Sequence, residues 1–169
     1  KLKLSLYSSE CNLLINKSQT LLKESEKNKQ INNSKSYYPM SIFIIGMPRS
    51  GSTLVESILS INKKLQDFGE INILEKAYII SRKFNQKKSL ADLYMQELNQ
   101  LFKEFSITTN KWLYNYQYSG IIANEIPNCK IIHCFRNPLD NILSINRANF
   151  ENGNNYSSSL IDSAKVYLD

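Results

Sequence analysis

The sequence predicts a three-layer α/β/α fold built on a parallel sheet. Two apolar runs, IFII at 42–45 and KIIHCF at 130–135, are typical of buried strands. Each run is followed by a segment with apolar residues at helical spacing. Strands that alternate with helices usually form a parallel sheet covered by helices on both faces. A chain of 169 residues is long enough to bury one such core.

Residues 1–40 are predicted to form a helix and a linker that precede the main domain at 41–169. Leucines recur at helical spacing in the polar segment 7–28, which indicates an amphipathic helix. This helix is expected to pack on the main domain or on a partner outside the chain. The stretch NKQINNSKSYYP at 28–39 has the composition of a linker.

The middle of the chain is predicted to alternate short strands and helices. The pattern predicts a helix over 53–60 with an apolar inward face. Its predicted inward residues are Leu54, Val55, Ile58 and Leu59. A short strand is predicted in LQDFGE, ending at Gly69, and another in KWLYNY at 111–116. The other predicted helices of this region cover 71–82, 89–105 and 117–125.

The second apolar run leads into a helix with clear start signals. In RNPLDNILSINRANF, Asn137 is the predicted N-cap, Pro138 the first helical residue and Asp140 a favourable charge in the first turn. The predicted buried face of this helix comprises Leu139, Ile142, Leu143 and Phe150. Ser158 or Ser159 is the predicted cap of a last helix.

Charge, cysteine content and hydropathy indicate which partners and which cellular location to expect. The net charge of +6 favours an anionic partner, without separating nucleic acid, a membrane surface and an anionic cofactor. Cys11, Cys129 and Cys134 are odd in number and lack metal-ligand spacing, which favours reduced thiols and a cytoplasmic location. No run approaches the roughly 20 apolar residues of a membrane-spanning helix, so no transmembrane segment is predicted.

The stretch IFIIGMPRSGSTLVES at 42–57 has the outline of a phosphate-binding loop between a strand and a helix. Gly46 and Gly51 allow backbone N–H groups to approach an anion closely. Arg49 supplies positive charge and a bidentate donor. The remaining residues of the predicted anion site are Ser50, Gly51, Ser52 and Thr53.

This loop departs from the loop of nucleoside triphosphatases. Ser52 stands where their lysine reaches the β- and γ-phosphates, and the cation is Arg49, three residues earlier. The run KIIHCF is followed by Arg136 rather than by a metal-binding aspartate. The residues therefore favour a smaller phosphorylated ligand that is bound without a metal ion.

Two motifs resemble those of the sulfotransferases that use 3′-phosphoadenylyl sulfate (PAPS). GMPRSGSTL is similar to their 5′-phosphosulfate loop, and FRNPLDNILSINR is similar to their 3′-phosphate motif. In that motif an Arg and a Ser eight positions apart hold the phosphate, and Arg136 and Ser144 have this spacing. Residues 41–169 most resemble bacterial members that are often fused to tetratricopeptide repeats, which are relatives of the tyrosylprotein sulfotransferases.

The resemblance implies a P-loop-like sulfotransferase fold, a donor and a class of acceptor. Arg49 and residues 50–53 would bind the 5′-phosphosulfate, and Arg136 and Ser144 the 3′-phosphate, with no metal ion. The acceptor would carry a hydroxyl group, as protein tyrosine, a glycan or a small alcohol does, and the product would be adenosine 3′,5′-bisphosphate. Nucleic acid is not an expected partner. Upstream tetratricopeptide repeats and a C-terminally incomplete domain are further expectations of the resemblance.

Sulfuryl transfer needs a base for the acceptor proton and cations for the leaving group. The single histidine, His133, lies in a strand pattern and is predicted to be buried and structural. By resemblance, Glu70, which follows Gly69, is the expected base. Lys111 matches a family lysine near the bridging oxygen, where it would stabilise the leaving group together with Arg49. Three aromatic residues follow Lys111 and are expected in the core, namely Trp112, Tyr114 and Tyr116. One of them could stack on the adenine, but the sequence does not indicate which.

Two other functions stay open. A nucleotide kinase or another P-loop phosphotransferase would bind ATP with Mg²⁺, although the missing lysine counts against it. A non-catalytic nucleotide-binding module would bind the donor without turning it over.

Overall fold

The computed structural model of the chain describes residues 2–27, 38–83, 87–101, 106–148, 150 and 153–169. The helices among them are α1 (Leu2–Lys27), α2 (Ser52–Leu59), α3 (Ile73–Ser81), α4 (Leu90–Leu101), α5 (Ser119–Glu125), α6 (Pro138–Arg147) and α7 (Leu160–Leu168). The strands are β1 (Met40–Ile45), β2 (Leu65–Asp67), β3 (Ile107–Asn110) and β4 (Cys129–His133). Short 3₁₀ helices cover Leu113–Tyr118 and Asn155–Ser158.

The described strands form one parallel sheet in the order β2-β3-β1-β4. Strand β1 lies between β3 and β4, with Phe43 beside Asn110 and Ile45 beside His133. Because all the pairings are parallel, the carboxyl ends of these strands meet at one edge of the sheet. The predicted α/β class with a parallel sheet is confirmed.

Most predicted elements are confirmed, and one strand is displaced. The strand predicted at 111–116 is wrong, since β3 ends at Asn110 and a 3₁₀ helix occupies Leu113–Tyr118. The β-branched run of Ile107, Thr108 and Thr109 suits the pleated sheet better than the following aromatic segment does. The predicted caps are confirmed, because Asn137 accepts backbone hydrogen bonds at the start of α6 and Ser159 does so at the start of α7.

The main core lies around β1 and includes Phe43, Leu74, Leu98, Tyr118 and Ile122, each 1% exposed or less. Helix α1 packs on α5, α7 and both 3₁₀ helices. Its Cys11 and Leu21 side chains are buried. The expectation that this helix packs on the main domain is therefore confirmed. No helix in the described ranges has the length and apolar character needed to cross a membrane.

Two predicted helix faces are wrong in part. The predicted residues that are half-buried are Val55, Leu59, Ile142 and Phe150. Leu54 and Ile58 of α2 are exposed, whereas Glu56 is buried. In α6, the residues that face the interior are Asn141 and Ile145, each 0% exposed. The residues of α6 that were predicted to be buried but are exposed are Leu139 and Leu143. In both helices the buried face is not the face that carries most of the apolar residues. A polar side chain, Glu56 or Asn141, is buried instead because it bonds to a neighbouring segment.

Strand β4 was predicted to be buried, and this prediction is wrong for much of its length. Among the described strands it pairs only with β1, so it lies at an edge of the sheet. Lys130, Ile131 and His133 are exposed as a result. The prediction that His133 is a buried structural residue is therefore also wrong.

Candidate functional site

The loop between β1 and α2 adopts a backbone that requires glycine. Gly46 has φ of +140° and Gly51 φ of +102°. A Cβ atom on Gly46 would lie 2.3 Å from the carbonyl oxygen of Cys134. Gly46 therefore lets the start of the loop pack directly against the end of β4. Arg49 also has a positive φ, +67°, in the left-handed region that non-glycine residues seldom adopt.

The end of this loop is the start of α2, and it supplies hydrogen-bond donors. Gly51 precedes Ser52, the first residue of the helix, and no described side chain caps it. The first backbone N–H groups of a helix lack intrahelical acceptors and attract anions. The Ser50 hydroxyl is buried and has no hydrogen-bond partner among the described residues. This part of the loop can therefore satisfy an anion with both backbone and hydroxyl donors.

The two predicted phosphate motifs meet at Arg49. Its Nε atom donates to Ser144 Oγ of α6 at 3.4 Å. Arg136 Nη1, just after β4, donates to the Arg49 carbonyl oxygen at 3.4 Å. A buried bond from Asn141 Nδ2 to the Pro48 carbonyl oxygen, 3.0 Å long, joins α6 to the same loop. The tertiary structure thus brings two exposed guanidinium groups and a serine together at the carboxyl edge of the sheet.

A cleft of about 480 Å³ opens beside this loop. Five predicted site residues line it, namely Arg49, Gly51, Ser52, Thr53 and Glu70. The described lining residues that the sequence did not indicate are Pro48, Leu54, Leu113, Phe150 and Asn154. Neither Arg136 nor Ser144 is among the described lining residues, but each contacts Arg49, which lines the cleft. A cleft of about 570 Å³ lies between α1 and α7, and its described lining residues include none of the predicted site residues.

Glu70 and Lys111 form an ion pair next to the loop. Lys111 Nζ lies 2.9 Å from Glu70 Oε1. The Lys111 side chain is 10% exposed, whereas the Glu70 side chain is 44% exposed and faces the cleft. Backbone bonding holds the two segments side by side, since Lys111 N donates to the Gly69 carbonyl oxygen at 2.9 Å. An accessible carboxylate and a nearly buried amine are thereby placed at the same edge as the anion-binding loop.

Glu56 is a polar residue of the site that the sequence interpretation missed. It lies on α2, is 6% exposed, and its Oε1 atom accepts from Thr109 Oγ1 at 2.9 Å and from Gly69 N at 3.2 Å. Its other oxygen, Oε2, is 3.8 Å from Lys111 Nζ. The available signal was a glutamate within TLVESIL, a mostly apolar helix that follows a phosphate-binding pattern.

The aromatic residues near Lys111 are not among the described residues that line the cleft. Trp112 and Tyr114 pack edge to face, with ring centroids 5.7 Å apart. Burial raises the pKa of the Tyr114 hydroxyl. Tyr116 lies in the wall of the cleft between α1 and α7. All three side chains are half-buried, and of them only Tyr116 packs against a described core cluster, so the expectation of core residues is met only in part. The adenine-stacking role stays unassigned.

Comparison with known proteins adds two findings. The sequence model of the sulfotransferase family matches residues 39–168, a range that contains every site residue described above. An uncharacterized protein of Aquifex aeolicus (strain VF5) is 33% identical over 129 residues, an alignment that covers 64% of this chain. The chain spans only 17% of the length of that relative.

Proposed function

This chain belongs to the sulfotransferase family, and on that premise we propose that it moves a sulfuryl group from PAPS to a hydroxyl acceptor. One observation carries the proposal. An accessible carboxylate, Glu70, lines the same cleft as the anion-binding loop, and the predicted 3′-phosphate residues adjoin that loop through Arg49. Family membership supports sulfotransferase activity in general, and the donor and acceptor are specific to the proposal.

The residues present fit a donor with two anionic ends. Arg49, the Ser50 hydroxyl and the start of α2 would hold the 5′-phosphosulfate. Ser52 and Thr53 support this assignment, because both line the cleft and carry hydroxyl donors at the start of α2. Arg136 and Ser144 would hold the 3′-phosphate. Guanidinium groups suit both ends, since they bind phosphate oxygens in a bidentate manner.

In the proposed reaction Glu70 is the base. When bound, PAPS supplies a sulfuryl group on a good leaving phosphate. Glu70 accepts the proton of the acceptor hydroxyl, as its accessible carboxylate in the cleft wall allows. Lys111 and Arg49 stabilise the negative charge that grows on the leaving oxygens. Protein tyrosine, a glycan and a small alcohol all carry a hydroxyl group that this base can deprotonate.

The first experiment measures ligand binding to the whole chain by calorimetry. Adenosine 3′,5′-bisphosphate is titrated without metal, and ATP is titrated with Mg²⁺ in parallel. Preference for the bisphosphate supports the proposal. Tighter binding of ATP with Mg²⁺ overturns it in favour of a P-loop phosphotransferase.

Turnover is then measured with sulfur-labelled PAPS and three acceptors: a tyrosine-containing peptide, an oligosaccharide and a small phenol. Label transferred to one acceptor supports the proposal and identifies the acceptor class. Bisphosphate binding with no turnover of the donor favours a non-catalytic nucleotide-binding module.

A further inference from the structure

A buried carboxylate lies behind the proposed catalytic pair. Glu56 is 6% exposed and is not among the described residues that line the cleft, so the structure gives it no direct path to a substrate. Its carboxylate nevertheless contacts the residue before the base, Gly69, and approaches the proposed electrostatic catalyst, Lys111. It therefore connects α2, which begins at the anion-binding loop, with the two segments that carry the catalytic residues.

The two oxygens of Glu56 have separate partners. Oε1 accepts from Gly69 N and Thr109 Oγ1, at 3.2 and 2.9 Å. Oε2 lies 3.8 Å from Lys111 Nζ. The first set of bonds fixes the backbone immediately before Glu70, at a glycine with φ of +59°. The second places a negative charge beside the buried amine.

The charges explain why this arrangement suits the reaction. The Lys111 side chain is only 10% exposed, and a buried ammonium group without a counter-ion is strongly unfavourable. Glu70 is its nearer partner, at 2.9 Å. When Glu70 accepts the acceptor proton it becomes neutral and no longer serves as a counter-ion. A second carboxylate, which exchanges no proton with the substrate, would remain as a counter-ion of Lys111 through that step.

We propose that Glu56 is a positioning residue. It remains a counter-ion of Lys111 throughout the reaction and holds the Gly69 backbone in place, and it acts on the reaction through these two residues. This inference rests on the proposed function, because it assigns Glu56 to the sulfuryl transfer of the same cleft. It gives α2 two tasks, one at its first turn and one at Glu56. The helix presents anion donors at its start and orders the catalytic pair from its buried face.

The main test is Glu56→Gln, which keeps an oxygen acceptor and removes the charge. In turnover of labelled PAPS we expect kcat to fall about tenfold, the size of a modest loss of preorganised charge stabilisation. Affinity for adenosine 3′,5′-bisphosphate should stay within about twofold of wild type, because the Glu56 carboxylate bonds to Gly69 and Thr109 rather than to a proposed phosphate residue. Glu97→Gln is the matched control, since Glu97 is a half-buried glutamate on α4 outside the cleft. It should leave both quantities unchanged.

Two further variants separate charge from shape. Glu56→Asp keeps the charge on a shorter side chain and should retain more of kcat than Glu56→Gln. Lys111→Met removes the partner. In a Lys111→Met background, Glu56→Gln should lower kcat no further, and the losses in free energy of unfolding should be smaller together than their sum. This unfolding cycle needs no ligand, so it also reports if a variant is too weakly active to assay.

The outcomes of the two proposals are distinguishable. Wild-type protein that neither binds the bisphosphate nor turns over PAPS overturns the proposed function. Turnover by wild type with an unchanged kcat in Glu56→Gln overturns only the positioning role. Additive losses in the unfolding cycle, or an equal fall of kcat in both backgrounds, also overturn it, since a merely structural carboxylate would behave in this way.

Discussion

The guanidinium group of Arg136 donates a hydrogen bond to the carbonyl oxygen of Arg49, 3.4 Å away, although the two residues are 87 positions apart in the chain. Arg136 follows β4, and Arg49 lies in the loop after β1. These strands are parallel neighbours, so the segments that follow them leave the sheet at the same edge. The contact joins two motifs that are remote in sequence and that are both predicted to bind phosphate groups.

Arg136→Ala should abolish most of the affinity for adenosine 3′,5′-bisphosphate. Losing a charge-assisted hydrogen bond to phosphate costs about 1.5–3 kcal/mol, which is roughly a 10- to 100-fold weaker Kd. Calorimetry without metal measures the change. Arg147→Ala is the control, because Arg147 is an exposed cation on the neighbouring helix α6. Equal weakening by both variants would mean that general charge, rather than the Arg136 position, binds the ligand.

Glu70→Gln should lower kcat about 100-fold or more, the range found when a general base is removed. Binding of the bisphosphate should change little, since Glu70 is assigned to the acceptor proton. Turnover of labelled PAPS, measured beside calorimetry on the same preparation, separates the two effects. Asp67→Asn controls for loss of charge at an exposed carboxylate three residues earlier. A Glu70→Gln protein with wild-type turnover would remove Glu70 from the mechanism.

Gly46→Ala should destabilise the fold far more than Gly51→Ala does. The new Cβ atom of Gly46→Ala would lie 2.3 Å from the Cys134 carbonyl oxygen, at φ of +140°. Clash and backbone strain together should cost about 3 kcal/mol or more. A Cβ atom added at Gly51 would meet no other segment within 4 Å. Only the strain of a positive φ then remains, about 1–2 kcal/mol. Urea unfolding measures both, and equal losses would contradict the close packing of Gly46 on β4.

The fold should lose a stabilising contribution of Glu75 in acid, when this carboxylate becomes protonated. Burial raises the pKa of this carboxyl, but the hydrogen bond and charge of Lys17, together with bonds from Asn72 and Tyr118, outweigh burial and lower it. A lowered pKa means that the contribution of Glu75 is present above its ordinary value of 4.5 and is lost as the pH falls through the folded-state pKa.

Glu75→Gln should therefore cost about 1–2 kcal/mol of unfolding free energy at neutral pH, and the difference from wild type should shrink below about pH 4. The Glu75 side chain is 19% exposed, so solvent screens it only in part. Urea unfolding across this pH range measures the effect. Glu26→Gln, an exposed change on α1, is the control and should show no such dependence. A pH-independent loss at Glu75 would point to packing rather than to its charge.

Much of the fold could be predicted because its signals are local. The apolar run of β1, the glycines of the loop and the Asn137-Pro138 start of α6 each act within a few neighbouring residues. The spacing of Arg136 and Ser144 is likewise a property of one strand end and the helix that follows it. Such patterns depend on backbone geometry, which the sequence records directly.

The sequence was a poorer guide to which side of a helix faces inward. The apolar pattern of α2 favoured burying Ile58, but the structure buries Glu56 because Thr109 and Gly69 supply donors for its carboxylate. In α6, Asn141 is buried because the Pro48 carbonyl oxygen accepts from its amide. A buried polar side chain is stable only where a partner is present, and these partners lie on other segments of the chain.

The sequence by itself therefore determined the class of fold and predicted the anion-binding loop, and the resemblance of two motifs assigned residues to each end of the proposed donor. The tertiary structure alone decided that β4 lies at an edge with His133 exposed, that Arg49 reaches Ser144, and that Glu56 stands behind Lys111. The physical reason is the range of the interactions. Turns, caps and strand propensity act over a few residues, whereas burial and charge pairing depend on segments that only the parallel sheet brings together.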